Sequence, residues 1–378
     1  MLRIIQVVEN LDKGAVENWL VNVFIESRKT RPEWEWTFYC ILGKEGRLDE
    51  KVKEAGGKII HSPYWINQKY HFLKHLRHTL KTGQYDVIHS HHDYLSGFYL
   101  LASANLAFKK RILHIHNTDK ALPVGSATLQ KRLLPLFRKL AIHFSDLIVG
   151  ISNDTLKEFV QDTRFRKKKT TVLYYGIDLS SFANKINSDT LRKEWGIPGN
   201  AKVLLYVGRM TPLKNPVFVV DILKELVKLR QDAYVVFVGK GEKEEEVIQR
   251  YTEANLANKV YMAGWRNDIA TVMKAADVFV FPRVEYPKEG LGLVVVEAQA
   301  AGLPVVISRG IVEDAIEIKE MAHFVSLNNN ADTWARTIDD VLNASAVVTR
   351  EEAYARMQLS RFSLEKGAHS LITLYETE

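Results

Sequence analysis

Short β-branched and apolar runs alternate along the chain with longer stretches whose apolar residues recur every three or four positions. In the first half the short runs are Arg3–Val8, Trp36–Ile41, Asp86–His89, Arg111–His114 and Leu147–Gly150. In the second they are Val203–Val207, Tyr234–Val238, Val260–Met262, Val278–Phe281 and Pro304–Ile307. Between them lie amphipathic segments such as Pro216–Arg230, with Val219, Ile222, Leu223 and Leu226 on one helical face. Strand alternating with helix predicts parallel sheets covered on both faces. Ten strands in two sets predict an α/β protein of two doubly wound domains. The polar segment Ser180–Asn200, which holds a short helical piece and then Pro198-Gly199, marks the boundary, so the expected domains are residues 1–180 and 181–378. From Thr349 onward the chain reads as helical, with room for those helices to pack back on the first domain. In open parallel sheets ligands bind beyond the carboxyl ends of the strands. Two such domains facing each other would gather those ends around one cleft, so the chemistry is sought in the loops after strands.

Composition supports this division. A chain of 378 residues exceeds what one hydrophobic core usually serves, and 46% hydrophobic with 26% charged residues fits a globular protein. Cys40 is the only cysteine, which excludes an intramolecular disulfide and a cysteine metal cage and favours a reducing, cytoplasmic compartment. The first apolar run, Leu2 to Val8, is too short and too polar for a signal peptide or a membrane span. The net charge of +7 is uneven: residues 1–170 hold 28 Lys/Arg and 17 Asp/Glu, a balance of +11, whereas residues 171–378 hold 24 and 28, a balance of −4. A basic first half suits nucleic acid, a membrane surface or a phosphorylated substrate, and a solvated lysine-rich surface would look the same. Within it, LQKRLLPLFRKLAIHF (129–144) alternates Lys131, Arg132, Arg138 and Lys139 with Leu133, Leu134, Leu136, Phe137 and Leu140, around Pro135. That pattern describes an interfacial helix on a membrane or the core face of a helix on the sheet. Arg164 and Arg166 to Lys169 add a second basic cluster.

Four segments carry candidate chemistry. In VLLYVGRMTPLKNP (203–216) a strand ends near Gly208, Asn215 is a candidate N-cap and Pro216 suits the first helical position. Arg209 and Lys214 then sit beside a helix N-terminus, an arrangement that binds phosphate, although two solvated loop cations would give the same pattern. In EGLGLVVVEAQAAGLPVV (289–306), Glu289 and Glu297 stand eight residues apart, and Gly290 and Gly292 permit close backbone approach. Val294–Val296 favours a strand by propensity, but Gly302 and Pro304 suit the end of a helix and the start of the next strand. With Glu289 in the loop and Glu297 on the helix, both carboxylates could touch one extended ligand, although a helix-start acid and a solvated glutamate would give the same pattern. In RILHIHNT (111–118) a strand leads to His116 and Asn117, while YDVIHSHH (85–92) supplies His89, His91 and His92. No HExxH, no D-x-D and no cysteine partner accompanies them, so no metal site is expected; His116 is singled out because it stands in the expected cleft. Finally VVFVGKGEKEEEV (235–247) starts like a dinucleotide fingerprint, but Glu244 replaces the third glycine and an acidic run follows, so it reads as structural.

Together these segments resemble glycosyltransferase family 4, in particular the bacterial exopolysaccharide and capsule enzymes. The resemblance spans nearly the whole chain through KGAVENW (13–19), RILHIHNT, DLIVGIS (146–152), VLYYGIDLSSF (172–182), VGRMTPLKN, AGWRNDI (263–269) and EGLGLVVVEAQAAGLPVV. It implies a GT-B fold, with an acceptor-binding N-terminal and a nucleotide-sugar-binding C-terminal domain. It also implies retaining hexosyl transfer without metal or cofactor, uridine being the commonest donor base. By the same resemblance Arg209 and Lys214 hold the diphosphate and Glu297 the ribose. Glu289, with Gly290, Gly292 and the amides of Leu291 to Leu293, holds the sugar and the distal phosphate. Arg266 lies at the base, His116 beside the acceptor hydroxyl, and Gly14 lets the first loop approach the diphosphate. The expected partners are a nucleotide-sugar donor, a saccharide or lipid-linked acceptor and an anionic membrane surface at the cytoplasmic face, with no nucleic acid. Two departures stand out: the usual glycine pair of the first loop is Gly14-Ala15, and the asparagine usual before Gly176 is Tyr175, a change assigned to the hinge. A sugar-nucleotide epimerase or hydrolase of the same architecture, and a non-catalytic basic membrane- or nucleic-acid-binding protein, are the competing readings.

Overall fold

Strand β1 (Arg3–Val8) is buried from Ile4 onward, as a near-continuous apolar run requires of a central parallel strand. The computed structural model describes residues 1–12, 14–65, 67–117, 128–160, 169–184 and 188–377, without the side chains of 128–132 and 188. Around β1 run β2 (Glu35–Cys40), β3 (Lys58–His61), β4 (Val87–Ser90), β5 (Lys110–Ile115), β6 (Leu147–Gly150) and β7 (Lys169–Val172). Their parallel order is β3-β2-β1-β4-β5-β6-β7. Helices α1 (Ala15–Ser27), α2 (Asp49–Glu54), α3 (Lys69–Gly83), α4 (Ser96–Ala102), α5 (Thr128–Phe144) and α6 (Asn153–Phe159) belong to the same unit. The direction of winding reverses between β1 and β4, so the loops after these two strands diverge and leave a crevice.

The second unit begins with α7 (Ser188–Glu194) and repeats this plan. Its strands β8 (Lys202–Val207), β9 (Ala233–Val238), β10 (Val260–Gly264), β11 (Val278–Phe281), β12 (Val305–Ile307) and β13 (Ala322–Phe324) lie in the order β10-β9-β8-β11-β12-β13. Helices α8 (Pro216–Leu229), α9 (Glu244–Glu253), α10 (Ile269–Ala275), α11 (Leu293–Ala300), α12 (Ala331–Asn343) and α13 (Arg350–Leu359) complete it. Here the reversal falls between β8 and β11. Strands β3, β7 and β13 are not evident in the sequence. All three are short sheet edges, half-exposed over most of their length, and lack the apolar run of a central strand.

The units comprise Met1–Ile177 with Arg361–Glu378, and Asp178–Ser360. The chain thus leaves the first unit three residues before the expected boundary and returns to it as α14 (Leu364–Glu376). The return is tied at Ile177, whose N–H donates to Phe362 O at 2.8 Å. Gly176 and Gly367 pack backbone to backbone: a Cβ on Gly367 would lie 2.6 Å from the Gly176 Cα. Tyr375 of α14 reaches inward to accept from Gln6 Nε2 at 2.8 Å.

Helix α5 continues through Pro135. Leu134, Ala141 and Ile142 are buried, Phe137 meets Phe98 edge-on at 4.9 Å, and Leu136 stays 50% exposed. Much of the apolar face of 129–144 is therefore core against α4. The side chains of Lys131 and Arg132, and residues Arg164 and Arg166 to Lys168, lie outside the described residues. Among the described residues no helix is long and apolar enough to cross a membrane.

Candidate active site

The switch point of the second unit gathers two loops. The loop after β8, Gly208 to Asn215, runs through Arg209 and a short turn, Pro212–Lys214, before α8. The loop after β11 runs from Pro282 to Gly292 and ends at α11. Val284 N–H donates to Leu213 O at 3.0 Å and Asn215 Nδ2 to Pro282 O at 3.1 Å, stitching the loops together. Asn215 is therefore not a side-chain cap as expected. Its φ of 52° places it in the left-handed region that asparagine tolerates, and its amide serves the neighbouring loop instead. The glycines of 235–247 are structural: a Cβ on Gly239 would lie 2.1 Å from Gly208 O, and one on Gly241 2.4 Å from Met210 O. They let this segment brace the Arg209 loop.

Glu289 stands at the centre. Lys214 Nζ donates to its Oε2 at 2.5 Å, and Arg283 Nε donates to the same oxygen at 2.6 Å. Burial opposes ionisation of this carboxyl, but Lys214 and Arg283 outweigh it and hold it below the usual glutamate range. Lys214 is lowered from its ordinary value, by burial first and by Arg283 and Arg209 next, against the pull of Glu289. Arg209 is exposed, and its guanidinium makes no hydrogen bond among the described residues. Arg283 is 5% exposed and also donates to Val284 O at 2.8 Å and to Pro287 O. Sequence alone does not single it out, because an arginine in FPRVEYPKEG resembles any solvated loop cation. Its one signal is position: second residue after β11, at the switch point, six before an acid.

Gly292 has φ 85° and precedes α11, as an extended valine run could not turn without it. Val294–Val296 is thus helical despite its β propensity; Val295 and Val296 are fully buried. The first turn of α11, from Leu293, directs backbone amides toward the loop that carries Glu289, Gly290 and Leu291. Glu297, on α11, is half-buried, and burial alone pushes its carboxyl up to about 7. Arg266 is fully engaged. Its Nε and one terminal nitrogen donate to both Asp268 oxygens at 2.8 Å, and its other terminal nitrogen donates to Glu194 at 2.5 Å. What this turn offers a ligand is its backbone and the 69% exposed Trp265 rather than a free guanidinium.

In the first unit Gly14 caps α1, and a Cβ there would collide with the Glu17 carboxylate at 1.9 Å. At the β1–β4 switch point the histidines form one network. His116 is buried, with Nε2 3.0 Å from His91 Nδ1 and Nδ1 bonded to the Tyr175 hydroxyl. His91 Nε2 lies 2.8 Å from Gln6 Oε1. His89 Nδ1 lies 2.7 Å from Tyr375 Oη, and its Nε2 3.2 Å from His114 Nδ1. Burial, then mutual repulsion, holds His89, His91, His114 and His116 well below the usual imidazole range, so they are neutral. Ligand atoms of His89, His91 and His114 lie within 4.8 Å of one another, close enough for a metal ion, but only His114 Nε2 among them is unpartnered. Tyr175, stacked on Trp19 at 4.8 Å, is a partner of His116 and lies two residues before the chain leaves the first unit.

Two doubly wound units, the second gathering cations and carboxylates at its switch point, have the architecture of a GT-B glycosyltransferase. Comparison with known proteins agrees. The model described as Glycosyltransferase Family 4 matches residues 29–181, and that described as Glycosyl transferases group 1 matches residues 187–358. The chain is 30% identical over 307 residues to the UDP-Gal:alpha-D-GlcNAc-diphosphoundecaprenol alpha-1,3-galactosyltransferase of Escherichia coli, covering 78% of this chain and 76% of that one. It is 26% identical over 379 residues to the putative glycosyltransferase EpsF of Bacillus subtilis, covering 99% and 96%. Its fold matches that of Anabaena HepE, solved in complex with UDP, with a TM-score of 0.78 over 99% of each chain at 19% identity. The protein belongs to glycosyltransferase family 4.

Proposed function

We propose that the protein transfers a hexose from a UDP-sugar to a hydroxyl of a saccharide or lipid-linked acceptor, with retention and without a metal. The observation that carries this reading is that Lys214 and Arg283 hold Glu289 ionised in the loop leading into α11, with Arg209 near enough to act electrostatically on Lys214. Arg209, Lys214 and the amides of Leu291, Gly292 and Leu293 receive the diphosphate. Glu289 and Gly290 face the sugar, Glu297 the ribose hydroxyls, and the backbone around Arg266 the base. In the first unit Gly14 serves the diphosphate loop. His116 serves the sugar from a neutral, hydrogen-bonded position, which suits orientation rather than proton abstraction. As the anomeric carbon–phosphate bond breaks, positive charge grows on that carbon and negative charge on the diphosphate. Fixed cations and amides stabilise the latter, typically by a few kcal/mol each. The incoming hydroxyl bonds to the anomeric carbon on the same face and gives its proton to the departing phosphate. The relatives support UDP donors and, through the Escherichia coli enzyme, a diphosphoundecaprenol acceptor. The charge of the first unit and the outward-facing Leu136 and Lys139 of α5 support docking on an anionic membrane.

A panel of UDP-, GDP- and ADP-sugars with saccharide and lipid-linked acceptors tests this reading. A glycosylated product with the donor's anomeric configuration is expected. Nucleotide release equal with and without acceptor would instead identify a hydrolase.

A further inference from the structure

Two cations share one oxygen of Glu289, and they are not equivalent. Lys214 holds Oε2 by the tip of a flexible stem. Arg283 reaches the same oxygen by Nε, while its NH1 is anchored on the carbonyls of Val284 and Pro287. The backbone beneath it is also fixed. Ser308 Oγ donates to Arg283 O, and Gly310 lies so close that a Cβ there would meet Val284 O at 2.2 Å. Lys214 can therefore swing to another anion, and Arg283 cannot. Both of these bonds fall on Oε2, which leaves Glu289 Oε1 for a ligand hydroxyl.

We propose that Arg283 is a positioning residue that keeps Glu289 ionised and aimed when Lys214 leaves it for the donor diphosphate. This rests on the donor site described above. A diphosphate carries more negative charge than one carboxylate and competes for Lys214. Without Arg283, a half-buried Glu289 would then face that diphosphate with no counter-ion. It would take up a proton or rotate away, and Oε1 would lose its direction. With Arg283 in place, the lysine is handed from carboxylate to phosphate while the carboxylate stays put.

The test compares wild type with Arg283→Gln, Arg283→Lys, Glu289→Gln and Arg283→Gln/Glu289→Gln, using free UDP and the sugar nucleotide that supports turnover. Arg283→Gln is expected to bind UDP within about twofold of wild type. Its kcat should fall about 10- to 100-fold, the usual cost of a misplaced reacting group. The acid limb of its pH–rate profile should move upward, because the carboxylate now protonates more readily. Arg283→Lys should recover part of the loss, and the double variant should be no slower than Glu289→Gln alone. UDP-induced thermal stabilisation reports that each variant is folded. Unchanged kcat and pH profile in Arg283→Gln, losses that multiply in the double variant, or UDP binding lost in step with turnover in both Arg283 variants would each overturn the inference. If wild type itself binds no nucleotide, the donor site is wrong and this inference falls with it; wild-type binding with a silent Arg283 sinks the inference alone.

Discussion

Glu289 and Glu297 are both glutamates of one motif, yet their surroundings drive them apart: cations hold the first ionised, and burial makes the second reluctant. Glu289→Gln is expected to lose transfer by at least about 100-fold, as removal of a fixed polar group at a reacting centre does, while UDP affinity is retained; calorimetry beside turnover measures both. For Glu297 the sign follows from its raised value. The folded state holds the proton more tightly than the unfolded chain, whose carboxyl sits near the ordinary 4.5. The resulting penalty is absent below about 4.5, grows as pH rises to about 7, and is then complete. Glu297→Gln should therefore raise the melting temperature of the ligand-free protein at pH 8, by a free energy on the order of a few kcal/mol, and the difference should vanish as pH falls toward 4.5. A melting difference independent of pH would contradict this. Arg209→Ala and Lys214→Ala should each weaken donor binding and turnover, with the double variant losing less than the sum, the outcome expected if both act on one diphosphate. These four residues stood out in the sequence because acids, cations and glycines at such spacings after strands suit an anionic ligand, and the structure brings two of them, Lys214 and Glu289, into contact. Arg283 did not stand out, because burial and a shared carboxylate oxygen are properties of the folded loop, invisible in a polar stretch of sequence.

At the scale of elements, every central strand was visible as an apolar run, and only β3, β7 and β13 at the edges escaped. Helix α11 shows where propensity fails: a valine run turns helical because Gly292 can adopt a left-handed φ and buried neighbours reward the result. The histidines in and just after β4 and β5 read in sequence as clusters without metal partners, with only His116 singled out, and strand pairing shows that they form one neutral network closed by Gln6, Tyr175 and Tyr375. The contact of Gly176 with Gly367 joins α14 to the first unit with no space for a side chain. Gly367→Val is expected to destabilise that unit by about 1–3 kcal/mol, the usual cost of overpacking, and to leave the second unit intact. Hydrogen exchange resolved by segment would show loss of protection in α1 and β1; equal loss in β8 and β9 would contradict the separation.

At the scale of the molecule, the basic first half and the acidic second half were plain from composition, and their meaning was not. Helix α5 turns most of its apolar residues inward, so any membrane attachment rests on cations and a few exposed side chains, each cation worth about 1 kcal/mol near an anionic surface. Sedimentation with vesicles should show binding that requires anionic lipid, falls with salt and weakens when Arg138 and Lys139 are neutralised. Turnover after treatment with EDTA is expected to equal that of untreated protein, because in the proposed site Arg209, Lys214 and backbone amides take up the charge of the leaving group. Loss on chelation, restored by manganese or magnesium, would overturn the metal-free reading and direct attention to the His89, His91 and His114 cluster.

The return of the chain as α14 also sets the order in which the protein is made. The second unit, Asp178–Ser360, is synthesised between two parts of the first. On a ribosome adding roughly 5–20 residues per second, the first unit waits on the order of 10–40 s before α14 emerges. During that interval Gln6 and His89 lack Tyr375, and the face of α1 that receives α14 lies open to water and to chaperones. The nascent chain can complete its second unit before the one begun first, so a ribosome that stalls after Ser360 would release a finished second unit attached to an unfinished first.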